Sequence, residues 1–167
     1  PGTCHMEWPI GHLVSRDLLH FEPLPDILPP LMDPDNPKDF GGKFTGCCFT
    51  NPKDGTHFVY YTMRDNVRTS QRFGACTSKD MEHFTMCPEN PVLEPDSSLM
   101  IGYDNLESKD WNIVDCRDLL VVENPDDGLF YGYFAAAADV GRQCPVGVIA
   151  VAVSDDLVHW RDQSIVY

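Results

Sequence analysis

A seven-residue phrase occurs three times in this chain and constrains its fold more than any other feature. The phrase reads S-x-D-[LM]-x-H-[FW], and its copies occupy residues 15–21, 78–84 and 154–160. Each copy follows a run of small and apolar residues that is typical of a strand. Internal repetition of this kind predicts a fold assembled from similar units.

The phrase has a structural explanation. A Ser or Asp side chain at the end of a strand can accept a hydrogen bond from a backbone N–H two residues later, which stabilises a turn. One active site does not need three equivalent acids, so we interpret Asp17, Asp80 and Asp156 as turn residues. The three His residues of the phrase are far apart in sequence and lack close ligand spacing, which argues against metal binding.

Strand-like runs and turn signals fill most of the remaining sequence. Two N-P-x-D-G turns, at 51–55 and 124–128, lead straight into aromatic runs and predict hairpins. No window indicates a long amphipathic helix, and we interpret the Pro-rich stretch 21–37 as a connection between units. The predicted strands are 10–14, 44–49, 56–63, 71–77, 119–123, 129–135 and 146–153.

Short strands at about four per unit indicate an all-β fold of antiparallel four-stranded sheets, as in the blades of a β-propeller. We treat residues 1–167 as one partial propeller domain of about two and a half blades. Propellers have about 4–8 blades, and such a piece would leave sheet faces and strand edges unburied. We therefore expect further propeller segments, in the same chain or in another one.

The charge of the chain bears on its partners. The sequence has 26 Asp and Glu against 12 Lys and Arg, a formal net charge of −14. Nucleic acids and anionic membrane surfaces are bound through Lys and Arg, so we expect neither as a partner. No run reaches the ~20 apolar residues of a membrane span, and the start of the chain lacks the pattern of a signal peptide. A neutral ligand such as a carbohydrate is compatible with this charge.

The cysteines and the short motifs predict no cofactor. The sequence has seven Cys residues and no C-x-x-C pair. Most lie within apolar runs, where a free Cys behaves as a small hydrophobe, so we expect reduced thiols, which slightly favours the cytoplasm. The sequence contains no Gly-rich phosphate loop, no zinc-type spacing and no H-E-x-x-H, and we expect no bound metal.

Four stretches together resemble one known family. Residues 11–25 resemble the G-H-A-V-S-x-D-L-x-H-W-x-x-L-P stretch of family 32 glycoside hydrolases, the invertase and levanase group. Phe44, Thr45, Gly46 and Cys47 stand where that family has F-S-G-S, and Arg117-Asp118 stands where it has R-D-P. The third copy of the phrase matches a later S-x-D-L-x-x-W turn, and the order of the motifs agrees over essentially the whole chain.

The resemblance implies a fold and a chemistry. The fold is a five-bladed β-propeller with a funnel-shaped active site at its axis. The chemistry is retaining hydrolysis of terminal fructosides, such as sucrose and fructans, by a nucleophilic Asp, a transition-state-stabilising Asp and an acid/base Glu. On this basis Asp118 is the stabiliser, and Arg117, Trp8, Phe44 and Thr45 are candidate substrate-binding residues.

The sequence also departs from the family pattern. Neither the N-D-P-N-G motif of the nucleophile nor the E-C motif of the acid/base occurs; we expect them before Pro1 and after Tyr167, and the isolated chain to be inactive. Leu119 replaces the Pro of R-D-P, while Phe21 and Phe84 replace Trp. These departures leave the sugar open, because related clan members cleave glycans that contain arabinose or xylose.

Other interpretations remain at this point. Asp118 could simply pair with Arg117, and Asp115 is a rival for the stabiliser role. The odd spacing of Asp115 and Asp118 places them on opposite faces of a strand, so we expect only one to face the funnel. Glu7 and His12 are weaker candidates. An alternative function is a catalytically inactive propeller that binds glycans or a protein partner. We interpret the acidic residues beside turns as solvated: Glu94, Glu123, Asp126 and Asp127.

Overall fold

A computed structural model describes residues 9–28, 42–64, 70–102, 114–141 and 145–167. Across these ranges the regular structure is entirely β. No helix that is long and apolar enough to cross a membrane occurs among them. The strands are β1 (Ile10–Val14), β2 (Glu22–Leu28), β3 (Lys43–Phe44), β4 (Cys48–Thr50), β5 (His57–Arg64), β6 (Gln71–Ser78), β7 (Thr85–Met86), β8 (Cys116–Glu123), β9 (Phe130–Ala138), β10 (Val146–Ser154) and β11 (Arg161–Ile165).

The strands form three antiparallel sheets, which we call the first, second and third blades. The first blade is the hairpin β1–β2, and the third has the order β8-β9-β10-β11. In the second blade, β3 and β4 both pair with β5, followed by β6 and β7. In each blade the repeated phrase connects the last two strands. The prediction of an all-β partial propeller with about two and a half blades is confirmed.

All three copies of the phrase fold into the same turn. In each, the Ser hydroxyl oxygen accepts the N–H of the residue three positions later, at 2.8–2.9 Å. The Asp Oδ1 accepts two further backbone N–H groups, and the Asp Oδ2 lies 2.7–2.8 Å from the His Nδ1. The residue after the Asp has a left-handed backbone, with φ of 61°, 62° and 71°. The interpretation of the three Asp residues as turn formers is therefore confirmed.

Strand β5 lies at the centre of the packing because both of its faces are buried. Phe58 and Tyr60 belong to a core cluster shared with the third blade. The alternate residues, Val59, Tyr61 and Met63, pack towards the first blade in a second cluster that includes Leu28. Side chains alternate across a strand, so a strand between two sheets is apolar at nearly every position.

The stretch 21–37, interpreted above as a connection between units, contains strand β2. This strand pairs with β1 from Leu28 back to Glu22, so the interpretation was wrong for residues 22–28. Pro23 and Pro25 obscured the strand pattern, although Pro is tolerated where the N–H is not needed for a ladder. Residues 29–37 lie outside the described ranges.

Candidate active site

Asp118 lies on a β-bulge in β8, the first strand of the third blade. Arg117 pairs with Ala135 of β9 but Leu120 pairs with Tyr133, so one extra residue is inserted in β8. Asp118 has a left-handed backbone with φ of 61°. Asp is among the few non-Gly residues that adopt this conformation at modest cost. The bulge exposes the side chains of two consecutive residues, Arg117 and Asp118.

The bulge changes the expectation for Asp115 and Asp118. That expectation relied on strict alternation of side chains, which the extra residue interrupts. The two carboxylates nevertheless have different partners. Asp115 accepts a hydrogen bond from Arg117 Nη1 at 2.7 Å, whereas Asp118 Oδ1 accepts one from the Thr45 hydroxyl. In the described part of the chain, Arg117 therefore forms its ion pair with Asp115 and not with its neighbour Asp118.

The second blade supplies the contacts that hold this part of β8. Besides Thr45, the Thr62 hydroxyl oxygen of β5 accepts the Asp118 N–H at 3.4 Å. Gln71 of β6 accepts hydrogen bonds through Oε1 from Arg117 Nη1 at 3.1 Å and from the Cys116 N–H at 3.2 Å. The candidate site is thus built across the junction of two blades, as expected for a site at a propeller axis.

Thr45 and Phe44 belong to an interrupted first strand of the second blade. The sequence predicted one strand over 44–49, but the ladder is broken between β3 and β4 at Gly46. Here a Cβ would lie 2.0 Å from the Tyr60 carbonyl oxygen, so only Gly fits. Phe44, Thr45 and Gly46 line a cavity of about 390 Å³, together with Pro9, Ile10, Ile27, Lys43, Cys47, Cys48, Val59 and Tyr60.

The remaining candidates are distributed elsewhere. Trp8 and Glu7 lie outside the described residues. His12 is half-buried on β1 with its ring edge-on to Phe84, at a centroid distance of 5.9 Å, and its buried Nδ1 has no hydrogen-bond partner among the described residues. Glu94 is partly exposed, as interpreted, but its carboxylate also lies 2.7 Å from Nη1 of the buried Arg72.

Thr62 and Gln71 are two contact residues that the sequence reasoning did not identify. Thr62 offers a weak signal: it is a polar residue in phase with Phe58 and Tyr60 inside a largely apolar strand. It is also buried, with 1% of its surface exposed. A polar group at a core position requires a partner, and here the partners lie at the blade junction.

Metal ligands and thiols contribute nothing further to the site. Within the described part of the chain, no group of three or more His, Cys, Asp or Glu side chains is arranged to hold a metal ion. The cysteines described there are free thiols: Cys47, Cys48, Cys76, Cys87 and Cys116. Burial raises the pKa of the Cys76 thiol to about 12 and that of Cys87 to about 11, which disfavours the thiolate.

Known structures resemble this arrangement of sheets. Fructan 1-exohydrolase IIa from Cichorium intybus is similar with a TM-score of 0.67 and 21% identity, over 92% of this chain and 25% of that one. A family 32 β-fructofuranosidase from Bombyx mori gives 0.65 and 21%, over 94% and 28%. Sucrose-6-phosphate hydrolase from Lactobacillus gasseri gives 0.62 and 21%, over 90% and 26%. The chain thus spans about a quarter of the length of these proteins.

The sequence itself identifies the family. A comparison with curated proteins finds no match. The model of the glycosyl hydrolases family 32 N-terminal domain, however, matches residues 2–102, which is more than half of the chain. The match includes two copies of the repeated turn, and strands β3 and β4 with Thr45 between them. This chain belongs to glycosyl hydrolase family 32, within its N-terminal β-propeller domain.

Proposed function

We propose that the protein containing this chain is a glycoside hydrolase that releases terminal fructose from sucrose or fructans. Asp118 is the transition-state stabiliser in this proposal. One observation carries it: the acid of the Arg117-Asp118 pair is exposed on a bulge, and Thr45 of the preceding blade donates a hydrogen bond to it. Membership of family 32 supports the reaction class, and the fructan exohydrolase with a similar fold has been solved with 1-kestose.

The chemistry explains why a carboxylate in this position is useful. Cleavage of a glycosidic bond passes through an oxocarbenium-like transition state, which nearby negative charge stabilises. Thr45 holds one carboxylate oxygen of Asp118. The other, Oδ2, accepts no hydrogen bond from the described residues and is available to sugar hydroxyls.

The other two acids belong to the proposal but not to the described site. A retaining mechanism needs a nucleophile and an acid/base group about 5 Å apart. Because the chain spans about a quarter of the fructan exohydrolase, we assign both groups to parts of the protein outside residues 1–167. Those parts would complete the propeller, in the same or another chain.

Substrate contacts follow from the residues around Asp118. Phe44 and Thr45 line a cavity between the first and second blades, Thr45 also contacts Asp118, and Arg117 lies next to the stabiliser. We propose that these residues and Trp8 contact the sugar. The charge of −14 suits a neutral carbohydrate better than a polyanion.

The test is Asp118→Asn in the complete open reading frame that carries this sequence, assayed for fructose release from sucrose and 1-kestose. Asn keeps the size of the side chain and tolerates the left-handed backbone. We expect a loss of turnover of roughly 10³-fold or more, with an unchanged circular dichroism spectrum. Asp115→Asn is the matched control and should cost about tenfold or less, because Asp115 pairs with Arg117.

Equal turnover by Asp118→Asn and the wild type would overturn the role of Asp118. Saturable binding of 1-kestose without fructose release by the wild type would instead support an inactive glycan-binding propeller. Release of arabinose or xylose from a glycan, without fructose release, would indicate the activity of a related clan member. Methanol in the assay tests retention, since a retaining enzyme forms the methyl β-fructofuranoside.

A further inference from the structure

Thr62 lies at the centre of the contacts between the second and third blades. It is on β5, the second strand of its blade, with 1% of its surface exposed. Its hydroxyl donates to the Thr45 carbonyl oxygen at 2.8 Å and accepts the Asp118 N–H at 3.4 Å. The Thr62 N–H also donates to the Thr45 carbonyl oxygen at 3.0 Å.

Asp118 and Thr45 both need backbone support. Asp118 lies in a left-handed conformation on a bulge, where the ladder to β9 is interrupted. Thr45 lies in the gap between β3 and β4. Asp118 has no partner on β9, while the Thr45 carbonyl oxygen is bound to β5 through the N–H and the hydroxyl of Thr62. The contact of the two side chains therefore depends on what fixes both backbones.

We propose that Thr62 is a positioning residue that fixes Asp118 and Thr45 relative to each other for catalysis, an inference that rests on the proposed function. One hydroxyl group contacts the backbone of both residues, and the Thr45 side chain then donates to Asp118. Thr62 is buried behind the site and does not touch the sugar itself. Its effect on the reaction passes through the placement of the Asp118 carboxylate.

The charge-stabilising role of Asp118 makes this placement important. Electrostatic stabilisation of a transition state depends on groups that are already in position before the reaction. A displacement of about 1 Å can cost on the order of 100-fold in rate. A residue that orders Asp118 should therefore change kcat more than KM, because the stabilised charge develops only in the transition state.

The experiment compares Thr62→Val, Thr62→Ser and Asp118→Asn in the complete open reading frame that carries this sequence. Val keeps the shape of Thr62 and removes the hydroxyl, whereas Ser keeps the hydroxyl. We expect Thr62→Val to lower kcat about 10- to 100-fold, while KM changes by less than about threefold. Thr62→Ser should stay within about threefold of the wild-type kcat.

The double variant separates positioning from a general loss of stability. If Thr62 acts through Asp118, then Thr62→Val should have little further effect in the Asp118→Asn background. Thr77→Val is the control, because Thr77 lies on β6 opposite Phe58, four residues along β5 from Thr62. This variant should leave kcat unchanged.

The inference alone would be overturned by wild-type kcat in Thr62→Val while Asp118→Asn is slow, or by full additivity in the double variant. Wild-type turnover in Asp118→Asn would overturn the proposed role of Asp118 and the inference together. Loss of kcat equally in Thr62→Val and Thr62→Ser would also contradict it, since Ser retains the hydroxyl.

Discussion

The first and third copies of the turn have the same hydrogen bonds but opposite surroundings. In the first copy Leu18 has 80% of its surface exposed, whereas the equivalent Leu157 in the third copy has 0%. Both residues have a left-handed backbone, and the N–H of each donates to the Ser hydroxyl oxygen of its own copy. The conformation of the turn therefore does not depend on packing, and the sequence of the phrase is sufficient to form it.

The difference in burial has a specific cause. The third copy lies against the second blade, where the Tyr60 hydroxyl donates to the Leu157 carbonyl oxygen at 2.7 Å. Trp160, the aromatic residue of that copy, packs on the same core cluster, whereas Phe21 of the first copy is 54% exposed. The same local structure thus contributes to the tertiary core at one position and not at the other.

The largest effect should come from truncating Leu157, and the equivalent Leu18 provides the control. Leu157→Ala removes a fully buried side chain and should cost about 2–5 kcal/mol of unfolding free energy. Leu18→Ala, the matched control in the same turn, should stay within about 0.5 kcal/mol. Urea denaturation of both variants measures the difference. Similar losses in the two would mean that the first copy is also buried in the protein, and the comparison would no longer hold.

A smaller effect should follow from Tyr60→Phe. This variant keeps the ring, which lies edge-on to Trp160 at a centroid distance of 6.1 Å, and removes the hydrogen bond to Leu157. A buried carbonyl left without a partner should cost about 1–3 kcal/mol. Urea denaturation should show this loss when Tyr60→Phe is made in the wild-type protein, and the same loss when it is made in the Leu18→Ala variant. An unchanged free energy of unfolding in Tyr60→Phe would show that packing alone holds the third copy in place.

The smallest effect should be the pH dependence of the turns. The carboxylates of Asp80 and Asp156, hydrogen-bonded to His83 and His159, raise the pKa of each His above the ordinary 6.5. Hydrogen bonds from the His83 backbone N–H and ring lower the pKa of Asp80 below 3.8. For Asp156, burial opposes the shift, but similar hydrogen bonds prevail and lower its pKa to about 2.

These shifts set the pH window of the stabilisation. A His with a raised pKa stabilises the fold fully below pH 6.5 and loses that contribution as the pH rises through its folded pKa. An Asp with a lowered pKa stabilises above pH 3.8 and loses that contribution as the pH falls through its folded pKa. Both contributions are complete only between these two values.

Histidine titration by NMR tests the window directly. We expect His83 and His159 to titrate above 6.5 in the wild type. In Asp156→Asn, His159 should return towards 6.5, while His83 in its separate turn should not change. A shift of both histidines in that variant would show that the turns are coupled rather than independent.

The sequence predicted the elements whose structure is local. The three turns, the two N-P-x-D-G hairpins and strands β5, β6 and β10 follow from side-chain chemistry and alternation within a few residues. Strand β2 was missed because its two prolines resemble a connection. In physical terms, Pro is compatible with a strand wherever its missing N–H has no partner to satisfy.

The candidate site was only partly predictable because its geometry depends on distant residues. The resemblance to family 32 singled out Arg117, Asp118 and Thr45. It did not predict the contact between Asp118 and Thr45, nor the support from Thr62 and Gln71. These contacts join residues of different blades. In β8, the alternation of side chains does not predict how Asp115 and Asp118 are oriented, because the sequence carries no signal of the bulge between them.

The left-handed backbone at position 118 has a consequence for the evolution of this fold. Asp, Asn and Gly adopt that conformation at the lowest cost, so the bulge favours these residues even where catalysis is no longer selected. A descendant propeller that had become a pure binding module would be expected to carry Asn or Gly here. Under the proposed role of Asp118, the residue at this one position would then help to distinguish homologues that have kept the reaction from those that have kept only the fold.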